Sequence, residues 1–369
     1  MQTVLISGGG IAGPVLAYWL RHHGCEATVI ERAPGPRPGG QAVDIRGVAL
    51  DVVERMGLLA PARDARTRMR GMSILDPEGH EIDRSTEATF SSGRLDSDDI
   101  ELLREDLVRM VYEHTRTDVE YLFDDSITAL DEDRTGVHVS FAHGAPRTYD
   151  LVIGADGLHS TVRRLRFGPE EPFVRHLGSY LSVFSADNFL ALDHWQLWLR
   201  DGDAGFGIMP VRDNSELRIA FGFQSGPLGH GLNGNGALRK LVADRLASLK
   251  WEGTRLAEAA HDAADFYCDA MAQIRMDHWS RGRVALLGDA AHCPSPLSGQ
   301  GTSLALVGAY VPAACLAQAR GDHPAAFSHY ERRMRPFVDL NQALATENPG
   351  GPAAEASVAH AKNALALDG

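Results

Sequence analysis

Lysine is almost missing from this chain, occurring in 369 residues only as Lys240, Lys250 and Lys362. That scarcity removes most chemistry built on a reactive amine, because no lysine stands in a Schiff-base or phosphate-loop context. Basic charge is carried by arginine, and acid outweighs it: the formal net charge is −13. Binding to a phosphate backbone rests on clustered cations, so no nucleic-acid partner is expected. Cysteine is scarce too. Cys25, Cys268, Cys293 and Cys315 are widely spaced and form no C-x-x-C pair, which argues against a disulfide framework or a zinc site and for a reducing, cytoplasmic setting. The opening Met1-Gln2-Thr3-Val4-Leu5-Ile6 lacks the basic flank and long apolar run of a signal peptide and reads as a buried strand. The longest apolar stretch, 303–319, contains Gly308 and Pro312 and falls short of the ~20 residues that span a bilayer. It predicts a core helix, not a membrane anchor.

What the chain does have is apolar content, 44% of its residues, enough for a large core, and at about 150 residues per domain its length suggests two domains. Strand-like residues 3–7, a glycine turn, a helical run 11–23 and a second strand 26–31 make a βαβ unit, hence a parallel sheet. A Pro/Gly-rich loop (33–40) and a helix (47–56) closed by Gly57 follow. Residues 71–97 read as short strands with a turn at Asp76-Pro77-Glu78-Gly79, and 100–113 read as a helix. Strands are expected at 119–123, 137–141 and 149–153, and again through 173–224, notably 195–199, 206–210 and 217–223. This second group reads as an antiparallel sheet inserted into the first fold. Trp195, Trp198 and Phe206 are expected to share one face of it as a core-facing wall. The chain then reads as helical over 236–262, a strand at 284–287, and helical to about 345, with an Ala-rich helix after a Pro/Gly breaker.

Three motifs carry chemistry. Gly8-Gly9-Gly10-Ile11-Ala12-Gly13 is a G-x-G-x-x-G between strand and helix. Gly8 permits the turn, Gly10 clears space for a pyrophosphate, Gly13 lets the helix pack, and the N–H groups at the helix start face the phosphates. Glu31 ends the second strand, where a carboxylate accepts from ribose hydroxyls. A second match, Gly229-His230-Gly231-Leu232-Asn233-Gly234, lacks the flanking strands and reads as a loop. Near the other end, the strand 284–287 runs into Gly288-Asp289, followed by Pro296-Leu297-Ser298-Gly299-Gln300-Gly301 and a helix. Asp289 suits a ribityl hydroxyl, and a helix start at Gly301 favours negative charge on a reduced flavin ring. The third motif is a strand leading into an Asp156-Gly157 turn and a helix start. His292 and Cys293 have no partner at ligand spacing and read as structural.

In this order, and with Gly39-Gly40-Gln41-Ala42-Val43-Asp44-Ile45-Arg46-Gly47 and Leu103-Arg104-Glu105-Asp106-Leu107, the chain resembles the para-hydroxybenzoate-hydroxylase-like class A flavin monooxygenases from Thr3 to about Arg333. In pattern it is closest to tetracycline-modifying and antibiotic-tailoring FAD monooxygenases. The resemblance implies an α/β fold: a Rossmann-like FAD-binding domain (1–70, 98–172 and 273–320), an inserted antiparallel-sheet substrate domain (71–97 and 173–272) and C-terminal helices (321–369). It implies FAD contacts from Gly8, Gly10, Gly13, Glu31, Arg32, Asp44, Arg104 and Asp289, with Arg46 near the flavin and Asp156 tying the cleft to the pyrophosphates. Ile11, Ala12, Gly288, Pro296, Gly299 and Gly301 join that set from the motifs themselves. The resemblance also implies NADPH or NADH as transient reductant and O2 as cosubstrate, with oxygen expected to pass through flavin C4a to an aromatic or polycyclic substrate. Gln196, Trp198 and Met209 are the expected substrate contacts. The chain departs from the family at Thr302-Ser303 and Val307-Gly308-Ala309. No side chain is identifiable as an acid or base. A monomer or weak homodimer is expected. Baeyer–Villiger or epoxidising chemistry, and a flavin-bearing protein that sequesters an antibiotic, remain open. A flavin halogenase is disfavoured because the first lysine is Lys240.

Overall fold

The computed structural model describes residues 2–228, 235–348 and 351–368, so the second G-x-G-x-x-G match lies outside the described residues. Two large sheets organise the chain. The first has the order Ser280–Arg281, Val284–Leu286, Leu151–Gly154, Thr3–Ser7, Glu26–Ile30, Glu120–Leu122 and is parallel except for its outermost hairpin. Its central strands are near-continuous apolar runs, as strands covered on both faces must be. Gly301–Ala319 is long and apolar enough by composition to cross a membrane, but most of it is buried, packed against Ala12–His22 and His323–Glu347. It runs through Gly308 and Pro312 without ending.

The expected strand at 149–153 is two strands. Arg147–Tyr149 belongs to a small sheet with Ile127–Glu132 and Val137–Phe141, and Leu151–Gly154 joins the parallel sheet. Asp150 sits at the break, where its carboxylate accepts from the Thr3 amide at 2.8 Å and Oγ1 at 3.1 Å.

The second sheet has the order Tyr267–Ile274, Val174–Asp187, Glu216–Gln224, Ala204–Val211, Trp195–Asp201, Gly71–Leu75, Glu81–Ser85. All its neighbours are antiparallel except Trp195–Asp201 and Gly71–Leu75, which come from distant parts of the chain and need no hairpin between them. One face, with Leu199, Phe206, Ile208, Ile219 and Phe221, packs against Asn235–Ala247 and Gly253–Asp262. The other face carries Gln196, Trp198, Met209 and Arg218 and turns toward the first sheet: Met209 packs with Leu103, and Arg218 reaches Glu105.

That two-faced arrangement corrects the expected aromatic wall. Strand side chains alternate, so residues three apart point oppositely. Trp198 lies across Gly207, where a Cβ would come within 2.7 Å of the indole, whereas Phe206 is paired with Leu199 on the helix-covered face. Trp195 lies at the sheet's far end, its indole N–H donating to Ser73 Oγ at 2.8 Å and its ring under Arg84.

A second correction concerns 100–113. Ile100–Leu103 is a strand, antiparallel to Ala42–Ile45, and the helix begins only at Arg104. The four residues Ile-Glu-Leu-Leu are good helix formers, but pairing buries every one of them, and tertiary context overrides propensity.

A Cβ at Gly13 would lie 2.0 Å from the Gly8 carbonyl oxygen. Gly13→Ala is expected to cost about 1–3 kcal/mol, the usual penalty for overpacking, read as a lower urea midpoint for the ligand-free protein with an unchanged m-value.

Candidate functional site

Four strands of the parallel sheet end side by side, and the loops leaving their carboxyl ends build a cleft, where open α/β sheets bind ligands. After Thr3–Ser7, Gly8 adopts φ +117, and a Cβ there would meet the Ala155 carbonyl oxygen at 2.4 Å, so two of these loops touch. Gly10 has nothing within 4 Å of its would-be Cβ. The helix that follows opens at Ala12 with Ile11 as its N-cap, has no side-chain cap and has no acid in its first turn. Its leading N–H groups are thus left for a ligand. Glu31 holds the turn: Oε2 accepts from the Gly9 amide at 2.7 Å and Oε1 from Ala33 at 2.9 Å, each oxygen keeping a further lone pair. Arg32 beside it is exposed.

The chain's later motif meets the first. Gly288 adopts φ +58, and its would-be Cβ lies 3.3 Å from that of Ala12. Asp289 is accessible to solvent but walled by protein, and that desolvation raises its carboxyl above the usual carboxylate range. Pro296–Ser298 forms one 3-10 turn with Pro296 exposed, flanked by Ser295 at φ +75 and Gly299 at φ +62. Gly301 then opens the long helix, again with nothing within 4 Å of a would-be Cβ.

Between these loops lie two arginines of different character. Arg104 threads past Gly40, where a Cβ would come within 3.0 Å of its Cδ, and donates to the Gly39 carbonyl at 3.4 Å. Among the described residues it pairs with no carboxylate. Burial, aided by the charge of Arg37, pushes it down to about 10, so it stays cationic at neutral pH. Arg46 is buried, its Nη2 donating to Asp44 Oδ2 at 2.9 Å and the Ser91 carbonyl at 3.1 Å. Its backbone N–H donates to Ser303 Oγ at 3.0 Å, and its guanidinium is 3.8 Å from a would-be Cβ at Gly299.

Asp156 lies at the cleft but spends its carboxylate on the helix Thr161–Phe167, accepting from Ser160 Oγ and from the Thr161 and Val162 amides at 2.8 and 3.1 Å.

On the second sheet, Gln196 is 1% exposed, with Nε2 donating to Ser91 Oγ at 2.6 Å and Oε1 accepting from the Trp198 indole at 3.0 Å. Met209 is buried among Met69 and Leu103. Trp198 is the more open of the three, and Phe90, 44% exposed, meets it edge-on at 5.3 Å.

Several residues here escaped sequence reasoning. Arg218, 3% exposed, donates to Asp265 at 2.8 Å and Glu105 at 3.1 Å, while Arg212 donates to Glu105 at 2.6 Å and Asp106 at 2.8 Å. The only signal was an arginine inside an apolar alternating strand. His159, one residue beyond the Asp156-Gly157-Leu158 turn, is bracketed by Asp269 and Glu170, each at 3.2 Å. His292 and Cys293 are buried, with His292 pushed down to about 3 by desolvation and Nε2 toward Tyr330.

Two open glycines, an uncapped helix start, an unpaired arginine and an accessible aspartate along one cleft suit a long ligand with a doubly charged phosphate centre and hydroxyl-bearing arms. Comparison with known proteins agrees. The family described as "FAD binding domain" matches residues 1–342. An uncharacterized protein of Mycobacterium tuberculosis (strain ATCC 25618 / H37Rv) is 50% identical, over 95% of both chains. A flavin-dependent monooxygenase from an unknown prokaryotic organism is 39% identical, over 93% of this chain and 88% of that one. The crystal structure of tetracycline destructase Tet(55) aligns with a TM-score of 0.89 at 34% identity, covering 100% of this chain and 99% of that one.

The hydrogen bond to Asp269, then Glu170, raises His159 to about 9. Because its folded value lies above the unfolded ~6.5, the stabilisation is complete below pH 6.5 and disappears as pH rises through 9. The site is half exposed, so its worth is about 1 kcal/mol at most. His159→Gln should lower stability by that amount in urea titrations at pH 6 and leave it unchanged at pH 10.

Proposed function

This chain belongs to the flavin-dependent monooxygenases that carry an FAD binding domain, and from that premise we propose that it hydroxylates an aromatic or polycyclic substrate at the expense of NADPH or NADH and O2. The observation that carries the reading is the close approach of Gly288 to Ala12, where a would-be Cβ comes within 3.3 Å of the alanine methyl and the chain's later glycine motif meets the first. When bound, FAD supplies the redox chemistry, taking a hydride from the nicotinamide and handing one atom of O2 to the substrate.

The protein's part is grip, orientation and dryness. Gly8, Gly10 and Gly13, with the N–H groups after Ile11 and Ala12, hold the pyrophosphate against the helix start. Glu31 and Arg32 serve the adenosine end, and the Asp156 backbone lines the same wall. Arg104 supplies a cation that no carboxylate of the described chain neutralises. Gly288 and Asp289 receive the ribityl chain. Pro296, Gly299 and Gly301, with Asp44 and Arg46 opposite, frame the isoalloxazine. We assign residues 1–70, 98–172 and 273–320 to the FAD-binding part, 71–97 and 173–272 to the substrate part, and 321–369 to a helical support.

Substrate is placed against the inner face of the second sheet, where Phe90 and Trp198 offer ring edges and faces that favour a planar ring system. Gln196 fixes the Trp198 indole through its side-chain oxygen, and Met209 closes the floor. The likeness to a tetracycline destructase supports a fused polycycle. Among the described residues no second glycine motif is flanked by strands, which supports a nicotinamide cofactor that docks only transiently.

The purified protein should be yellow and carry one FAD. Gly10→Ala and Arg104→Ala should each weaken FAD about tenfold or more, a loss of at least ~1.4 kcal/mol, in fluorescence titration of the apoprotein. Tetracycline-like or polycyclic phenols should accelerate NADPH loss and gain one oxygen by mass spectrometry, and Trp198→Ala should raise KM more than it lowers kcat. A colourless protein that takes up no FAD sinks the proposal.

A further inference from the structure

The small antiparallel pair Ala42–Ile45 and Ile100–Leu103 holds a group of side chains whose arrangement flavin binding alone does not explain. Asp44 and Glu101 are directly opposed in its register, so their side chains leave the same face with Cβ atoms about 5 Å apart. Both are buried, at 8% and 6% exposed. Asp44 Oδ2 accepts from Arg46 at 2.9 Å, and Glu101 Oε2 accepts from Thr67 Oγ1 at 2.5 Å. Asp44 Oδ1 is buried without a partner, and Glu101 Oε1 has no well-formed hydrogen bond, the Ser91 hydroxyl being the nearest further donor to that carboxylate. Ionised carboxylates only accept, so two poorly satisfied carboxylates opposed on one face in dry protein are costly. A single proton resolves both, since the protonated oxygen donates and the other receives.

Charge counting leads to the same place. Arg46 is the cation paired with Asp44, and Asp99, whose field reaches Asp44, is neutralised by Lys362 at 2.7 and 2.9 Å. The other neighbours, Thr67, Ser91 and Ser303, bring hydroxyls and a carbonyl but no charge. With both carboxyls ionised the trio of Asp44, Glu101 and Arg46 carries one net negative charge, and with one proton it is neutral. Burial pushes Asp44 up to about 7 and raises Glu101 as well.

We propose that Asp44 and Glu101 share one proton and act as a single acid that sets the charge beside Arg46, and so tunes the reduction potential of FAD held against Gly299. This rests on the FAD placement argued above. Reduction of FAD to FADH− takes two electrons and one proton. Where the pair is fully ionised in the oxidised protein, the new negative charge draws one more proton onto it, so two electrons enter with two protons. Where the pair already holds its proton, only one enters. Asp44 and Glu101 are positioning residues here, acting through local charge and not on substrate.

The test is a potentiometric titration of the FAD-loaded protein from pH 6 to 9, with dithionite as electron donor and soluble mediators. For a two-electron couple each tenfold change in proton concentration moves the potential by about 30 mV per proton taken up. The wild type should pass from a slope of about 30 mV per pH unit to about 60 as pH rises above neutrality. A flavin that itself binds the second proton on reduction steepens on the acid side instead. Glu101→Gln should hold about 30 mV per unit throughout, and Glu101→Asp should restore the steep region. Thr67→Val, which keeps both acids but removes a donor to the ionised form, should move the steep region to higher pH. A shallow wild-type slope across the range overturns the proposal, as does equal steepening in Glu101→Gln. The wild type and Thr67→Val decide the matter if the Gln variant does not fold. A protein that takes up no FAD overturns the placement itself, and its missing visible absorbance shows this before any electron is added.

Discussion

The site depends on how closely neighbouring strand ends of the parallel sheet are allowed to approach. Thr3–Ser7, Leu151–Gly154 and Val284–Leu286 come from the beginning, middle and far part of the chain, yet they lie in adjacent order. Their outgoing loops touch because side chains are missing where they meet. Gly8 sits under the Ala155 carbonyl, Gly13 under the Gly8 carbonyl, and Gly288 against Ala12. A methyl group at the first two of these positions forces backbone apart, and the cleft is defined by the gap that remains.

Those glycines are also why much of the site could be read from the residue string. A demand for positive φ or for zero side-chain volume is local, and it leaves a glycine at a fixed distance from a strand and a helix. The βαβ opening, the Gly288-Asp289 turn and the buried character of the helix Gly301–Ala319 are legible for that reason. What was lost has the opposite property. Taken as part of one helix, Glu101 belongs on a solvent-facing turn near Glu105; taken as a strand residue, it faces Asp44 in a dry pocket. Its chemistry is set by a partner strand, and no nearby residue announces which strand that is. Phe206 and Trp198 part company for a related reason, since only the strand's true phase tells which face each ring occupies.

The ion network between the two sheets, in which each arginine bridges two carboxylates, does a different job. Arg218 and Arg212, both on or beside the second sheet, grip Glu105 and Asp106 at the first turn of the helix that starts with Arg104. Asp265 extends the same network to the Ser185 backbone, and Glu105 extends it to the amide of Gly39. The substrate-facing sheet, the Arg104 helix and the Pro/Gly loop are thereby held as one frame. Arg218 is nearly fully buried, so pulling it from Glu105 leaves a dry carboxylate and a guanidinium arm unsatisfied, which penalises any sliding of one sheet over the other.

The sheet order also governs the timing of birth. The first strand gains one neighbour, Glu26–Ile30, soon after synthesis, but the neighbour on its other side begins only at Leu151, which at roughly 5–20 residues per second emerges on the order of ten seconds later. The Val284–Leu286 strand takes about as long again, and until it arrives the nascent chain has neither a complete sheet nor a place for its ligand. Apolar residues such as Val4, Leu5 and Ile6, wholly covered in the finished molecule, lack part of their cover for that interval. Long-range parallel pairing of this kind is slow to form and leaves unpaired strand edges exposed while synthesis continues, the general setting in which chaperones act.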